Sequence, residues 1–149
     1  VSILEIGFGT GLNCFITYLE SKKMNQVIDY VGVEAYPVSS DEIQSMNYIQ
    51  ELNAQNEKIV FETMHSCNWE EKHQIATTIY FDAFGYRVQP ELWSTTIFRS
   101  MYKALKNNGV LVTYAARGVV KRSMQEVGFL VEKLEGPPGK REMFRALKG

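Results

Sequence analysis

Three glycines follow an acid at fixed intervals in Glu5-Ile6-Gly7-Phe8-Gly9-Thr10-Gly11, and the apolar residues Ile3, Leu4 and Ile6 lead into them. Leu12, Phe15, Ile16 and Leu19 then recur at helical spacing, so the segment reads as strand, glycine turn, helix. Bare backbone lets a ligand approach closely, and free amides at a helix start favour a carboxylate or phosphate, which together point to a nucleotide-like cofactor. Nicotinamide and flavin sites more often carry Gly-x-Gly-x-x-Gly, and the same glycines can form a turn that holds no ligand. Gly-x-Gly-x-Gly after an acid favours S-adenosylmethionine among these readings.

Two further carboxylates end strand patterns. Glu34 closes the run Tyr30 to Val33, 27 positions after Gly7, where an acid can accept from both hydroxyls of a ribose. Without the glycine turn it would be an ordinary exposed carboxylate. Asp82 ends the fourth strand pattern, in Tyr80-Phe81-Asp82-Ala83-Phe84, and ligands of open α/β sheets lie over such carboxyl ends. A carboxylate there can orient an amine nucleophile and draw off its proton, while Phe84 or Tyr86 can stack on a planar base or face a cation. The alternative is that Asp82 caps the next loop and Phe84 fills core.

Alternating elements must hold these residues in place. Ser39 with Glu42 three positions on is a capping box for a helix carrying Ile43, Met46, Ile49 and Leu52. Thr78 to Phe81 reads as a buried strand, followed by a helix that opens at Pro90, presents Trp93, Ile97, Met101 and Leu105, and stops at Gly109. Val110 to Tyr114 is again a strand, and Val119 to Val127 a helix closed by Gly128. Phe129 to Leu134 and Glu142 to Leu147 flank the turn Gly136-Pro137-Pro138-Gly139 and read as an antiparallel pair. The expected fold is α/β: a doubly wound, mostly parallel Rossmann-like sheet with a C-terminal antiparallel hairpin. Between about Asn56 and Thr77 the pattern thins to Ile59 to Phe61 and a stretch around Trp69, so a segment near 75–78 is expected to be missing from an otherwise single domain over 1–149.

With 45% hydrophobic residues, a chain of 149 can bury one core. Cys14 and Cys67 are its two cysteines, which gives no disulfide framework and points to a reducing, cytoplasmic setting. Apolar runs are short and the sequence opens in a strand pattern without a basic, apolar leader, so no membrane segment is expected. His65, Cys67 and His73 match no common zinc spacing, and no metal is expected. The net charge of -1 is unevenly spread: from Lys103 onward ten Lys and Arg face four acids, a tail of +6 on a body of -7. Lys121-Arg122 and Lys140-Arg141 lie in that tail, where they can meet nucleic-acid phosphates or simply form solvated surface.

Three blocks in order resemble the methyltransferase half of the bifunctional tRNA 5-methylaminomethyl-2-thiouridine biosynthesis enzyme and its single-domain relatives. They are Leu4 to Asn13; Tyr80 to Phe84 with Pro90-Glu91-Leu92-Trp93-Ser94; and Gly118 to Arg122 with Gly128-Phe129 and Gly139 to Met143. The resemblance implies a class I methyltransferase acting on the exocyclic amine of 5-aminomethyl-2-thiouridine 34 of tRNA, at the anticodon loop. It implies that Glu5, Gly7, Phe8, Gly9, Gly11, Asn13, Glu34 and Asp82 hold S-adenosylmethionine, with Asp82 and Phe84 at the reacting amine. Lys121, Arg122, Lys140 and Arg141 would meet tRNA, and no flavin domain is expected in this chain. Two features depart from the family pattern: Gly85-Tyr86 stands where Ser-Pro is common, and the acid expected near adenine from a third strand has no counterpart. A methyltransferase for a small amine or protein, and a non-catalytic nucleotide-binding module, are the rival readings.

Overall fold

The computed structural model describes residues 1–65 and 76–149. In chain order these form β1 (Ser2–Ile6), α1 (Leu12–Lys23), β2 (Asp29–Val33), α2 (Ser40–Ser45), α3 (Tyr48–Glu51), α4 (Lys58–Met64), β3 (Ala76–Phe81), α5 (Thr95–Ala104), β4 (Leu105–Thr113), α6 (Gly118–Val127), β5 (Phe129–Glu135) and β6 (Glu142–Lys148). One six-stranded sheet runs β2-β1-β3-β4-β6-β5. The first four are parallel, whereas β6 is antiparallel to both β4 and β5. The chain leaves β1 in one direction to make β2 and returns to the other side of β1 to make β3. A crevice therefore opens above the carboxyl ends of β1 and β3, the point at which such sheets take ligands.

Strand alternation assigns the faces. Leu4 and Ile6 of β1 pack on the larger core, which includes Ile79, Phe81, Leu111 and Phe144 from the sheet with Phe98 of α5 and Met124 of α6. Glu5 lies between them and so points to the opposite face, toward α1. There α1 packs Phe15 against Ile49, Ala54 and Phe61 in a second, smaller core.

The expected elements form, with three changes. The Ser39–Glu42 capping box is present in both directions, but the expected long helix breaks at Met46, which is extended (φ -71°, ψ 139°), and restarts as α3. Ser45 turns its hydroxyl onto the Glu42 carbonyl there and Asn47 follows, both residue types that compete with helical bonding. The helix expected from Pro90 to Gly109 is also divided. Pro90–Trp93 is a 3-10 turn, Ser94 is extended and caps α5 through its hydroxyl, and Leu105 already belongs to β4, paired with Ala76. Ile59 to Phe61 lie in α4, and β3 is the third strand among the described residues, so the strand expected before it is not among them. Ile75, Cys67, Trp69 and His73 lie outside the described residues. The terminal hairpin forms in the expected place, but β6 rather than β5 borders β4.

Candidate functional site

The turn from β1 to α1 requires its glycines, since Gly7, Gly9 and Gly11 all have positive φ (88°, 53° and 76°). They do different things. At Gly7 a β-carbon would stand 2.5 Å from the Asp82 carbonyl oxygen, so bare backbone is what lets the ends of β1 and β3 touch. At Gly9 a β-carbon would meet nothing within 4 Å, because the residue borders a cavity. Gly11 faces away, toward His65, whose ring nitrogens lie 2.9 Å from the carbonyl oxygens of Thr10 and Phe61. His65, which the sequence offers only as a weak metal candidate, thus braces the back of the turn. Phe8 also lies behind it, with its ring against Gly32 of β2.

Four amides of the turn have partners within the protein. The Gly7 and Phe8 amides donate to the Val33 carbonyl (2.9 and 3.1 Å), Gly11 donates to Phe8 (2.9 Å), and Gly9 donates to Glu34 Oε2 (2.8 Å). The first two join the turn to β2. The turn therefore shapes a space more than it supplies donors. Glu34 Oε1 accepts from the Tyr36 amide as well (2.9 Å), so its carboxylate is held at both oxygens, each with lone-pair capacity to spare.

Two cavities meet at Asp82. One, of about 480 Å³, is lined by Gly7, Gly9, Glu34, Asp82, Phe84 and Tyr114 among others. The second, of about 550 Å³, is lined by Asn13, Asp82, Tyr114, Pro138, Lys140 and Met143 among others. Both fall in the range of small-molecule sites. Asp82 and Tyr114 are the wall they share.

Asp82 is tied down from several sides. Its amide donates to the Ile6 carbonyl (2.9 Å) and its Oδ2 accepts from Asn13 Nδ2 (3.0 Å). Although its surface is open to solvent, the surrounding protein raises its carboxyl pKa, opposed by the Asn13 bond and the Lys140 ammonium. The next two carbonyls are clamped by side chains: Tyr114 Oη donates to Ala83 (2.7 Å) and Trp93 Nε1 to Phe84 (2.9 Å). Burial first, and then the Asp82 charge, raise the Tyr114 pKa, which keeps that hydroxyl a donor. Phe84 is left 55% exposed at the crevice.

The same Asn13 Nδ2 donates to Glu5 Oε1 (2.8 Å), and Glu5 Oε2 accepts from the Tyr30 hydroxyl (2.8 Å). Glu5 is fully buried. Burial raises its pKa to about 7, against the lowering effect of those two hydrogen bonds and with help from the Asp82 and Glu34 charges. A buried carboxyl of this kind keeps a proton that the unfolded chain releases near 4.5, so its contribution to stability falls as pH rises from about 4.5 to about 7 and is flat on either side. The span corresponds to roughly 3 kcal/mol. The melting temperature of Glu5→Gln, followed over that window, is expected to fall less steeply than that of the wild type; parallel curves would exclude the assignment.

Of the sequence-predicted residues, Gly7, Gly9, Glu34, Asp82 and Phe84 border the first cavity, and Asn13, Asp82 and Lys140 the second. Glu5, Phe8 and Gly11 stand behind these walls, and Lys121, Arg122 and Arg141 are in neither lining. Tyr114, Trp93 and Tyr30 were read in the sequence only as parts of strands and helices, because each serves the site through a hydrogen bond to a residue 9 to 31 positions away. Among the described residues no group of three His, Cys, Asp or Glu is placed to hold a metal ion. No helix among them is long and apolar enough to cross a membrane.

A doubly wound sheet closed by an inserted antiparallel strand, with a glycine turn and strand-end acids at its switch point, is the architecture of class I S-adenosylmethionine-dependent methyltransferases. The chain belongs to a family of S-adenosyl-L-methionine-dependent methyltransferases, whose sequence model matches residues 23–149. It is 26% identical over 172 aligned positions to the tRNA 5-methylaminomethyl-2-thiouridine biosynthesis bifunctional protein of Campylobacter fetus, covering 98% of this chain and 28% of that protein. With its namesake from Idiomarina loihiensis it shares 28% identity, over 96% of this chain and 29% of the relative. The chain thus spans less than a third of the length of these relatives. Among solved structures, MnmC2 of Aquifex aeolicus superposes with a TM-score of 0.73 at 19% identity, over 98% of this chain and 52% of the other. A methyltransferase of Pyrococcus furiosus gives 0.58 at 16%, over 99% and 75%.

Proposed function

We propose that this chain methylates the exocyclic amine of 5-aminomethyl-2-thiouridine at the wobble position of tRNA. The observation that carries the reading is Asp82, a carboxylate on the wall between two cavities. The names of the aligned relatives support the choice of acceptor. The cavity beside the glycine turn fits S-adenosylmethionine, since Gly9 leaves bare backbone where a side chain would intrude and Glu34 holds its carboxylate ready for a ribose. Bound there, the cofactor supplies a methyl group already activated on a sulfonium.

The protein's part is then positioning and proton handling. Gly7, Gly9 and Glu34 receive the donor, while Phe8, Gly11 and His65 set the shape of the turn without touching it. The Asp82 carboxylate holds the acceptor amine by one N–H, leaves its lone pair toward the first cavity, and takes the proton released on transfer. Asn13, fixed by Glu5, and Tyr114 and Trp93, on the carbonyls of Ala83 and Phe84, keep that carboxylate in place. Phe84 offers its exposed ring to the uracil face.

The test is transfer of labelled methyl from S-adenosylmethionine to bulk tRNA from a strain that lacks the modification. Label is expected in the wobble nucleoside. Binding of S-adenosylhomocysteine with no label in tRNA, but label in a small amine or protein, would replace this reading by that of a methyltransferase with another acceptor.

A further inference from the structure

The basic tail is not uniformly available to a polyanion. Lys133 is bridged to Glu142 (3.1 Å) and Arg145 to Glu132 (2.5 Å), and Lys148 donates to the carbonyls of Tyr102 and Leu105 (2.7 Å each). Two other cations of the tail rest on rings, as Lys148 also does on Tyr102 (4.8 Å), but without its hydrogen bonds to carbonyls among the described residues. Arg117 lies 5.3 Å above the ring of Tyr86, and the Lys140 ammonium lies 5.2 Å above the ring of Tyr114. Both are exposed, and neither shares a salt bridge among the described residues.

Their rings lie on the loops that follow β3 and β4. Tyr114 walls both cavities, and Tyr86 stands four positions after Asp82 on the same loop. The two loops are in register at Gly85, where a β-carbon would sit 3.9 Å from the Tyr114 hydroxyl. Arg117 follows Tyr114 by three positions. The series Arg117, Tyr86, Tyr114, Lys140 is therefore a rim of two cations, Arg117 on the loop after Tyr114 and Lys140 on the β5–β6 turn, each resting on an aromatic of the loops that follow β3 and β4. Seating a long cation over a ring limits its rotamers, and both head groups stay exposed at the rim, the Lys140 ammonium close enough to Asp82 to oppose the rise in its pKa.

Resting on the tRNA reading above, we infer that Arg117 and Lys140 contact the backbone phosphates of a single-stranded RNA segment whose acceptor nucleotide enters at Asp82. The geometry favours this pair over the Lys121-Arg122 pair of α6: Lys140 lines the second cavity and Arg117, though in neither lining, rests on Tyr86 of the Asp82 loop, whereas neither Lys121 nor Arg122 lines a cavity and Lys121 is half-buried. Phosphates on either side of one nucleotide need two cations held apart around the entry point, which is what two separate loops provide. Phe84, exposed on the same loop as Tyr86, adds a face on which an unstacked base can rest.

The test is the salt dependence of binding to a fluorescently labelled, unmodified anticodon stem-loop RNA, with S-adenosylhomocysteine thermal shift run in parallel. Arg117→Gln and Lys140→Gln are each expected to flatten the slope of log affinity against log salt by about 0.7, the value for one phosphate contact on a single strand. The double variant should lose about twice that, with the cofactor shift unchanged, and Lys23→Gln should leave the slope as in the wild type. A double variant with the wild-type slope, or equal flattening by Lys23→Gln, overturns the assignment while leaving the substrate reading intact. Flattening by Lys121→Gln/Arg122→Gln in place of the rim pair does the same. A wild-type protein that takes up S-adenosylhomocysteine but binds no RNA defeats the substrate reading, and this inference with it.

Discussion

Asp82→Asn is expected to bind S-adenosylhomocysteine as the wild type does and to lose methyl transfer by about 10²–10⁴-fold, the usual worth of a positioned general base. The substitution keeps the shape of the side chain and an oxygen that can still accept from Asn13. It removes the charge that orients an amine N–H and the site that receives its proton. Neither change touches Gly9 or Glu34, so the donor cavity should remain whole. Thermal shift with S-adenosylhomocysteine reads the first half of the prediction, and single-turnover label transfer to tRNA reads the second. Wild-type turnover in this variant would mean that the amine arrives already neutral and needs no partner at this wall.

Gly7→Ala is expected to abolish cofactor binding and to lower the melting temperature by several degrees. A β-carbon there would be 2.5 Å from the Asp82 carbonyl oxygen and 2.9 Å from the Ala83 α-carbon, both backbone atoms that cannot swing aside. The backbone angle of +88° adds roughly 1–3 kcal/mol of strain for any residue with a side chain. Relief requires the ends of β1 and β3 to part, which opens the crevice that the two strands define. Gly9→Ala makes the contrast. With nothing within 4 Å of its β-carbon and a φ of 53°, it should cost about 1–2 kcal/mol in folding. Its methyl group would nonetheless occupy donor space. Calorimetry and S-adenosylhomocysteine titration of the two variants separate a turn that holds the sheet together from one that only leaves room; similar melting temperatures for both would remove the distinction.

The parts of this site that were legible beforehand are those in which a short stretch of chain dictates its own conformation. Glycines at positions 7, 9 and 11 announce a turn because positive φ excludes most other residues. Glu34 and Asp82 stand at the ends of apolar runs, and the capping box of Ser39 and Glu42 forms as spaced. The helix expected to continue through Met46 failed for an equally local reason, side-chain competition at Ser45 and Asn47, which the apolar period masked.

The amino-acid sequence alone determined the alternation of strands and helices, the cofactor class and the two carboxylates at strand ends, since each rests on spacings of a few residues. Only the tertiary structure decided that the Gly7 and Phe8 amides are taken by β2, that Asn13 bonds both Glu5 and, 69 positions on, Asp82, and that Tyr114 and Lys140 line the same cavity as that carboxylate. It also decided that β6 lies between β4 and β5, which carries the Pro137-Pro138 turn and Lys140 over the Asp82 crevice. The physical reason is that strand order and register are set by burial summed over the whole sheet. Which distant side chains become neighbours is a property of that sum and of no single segment.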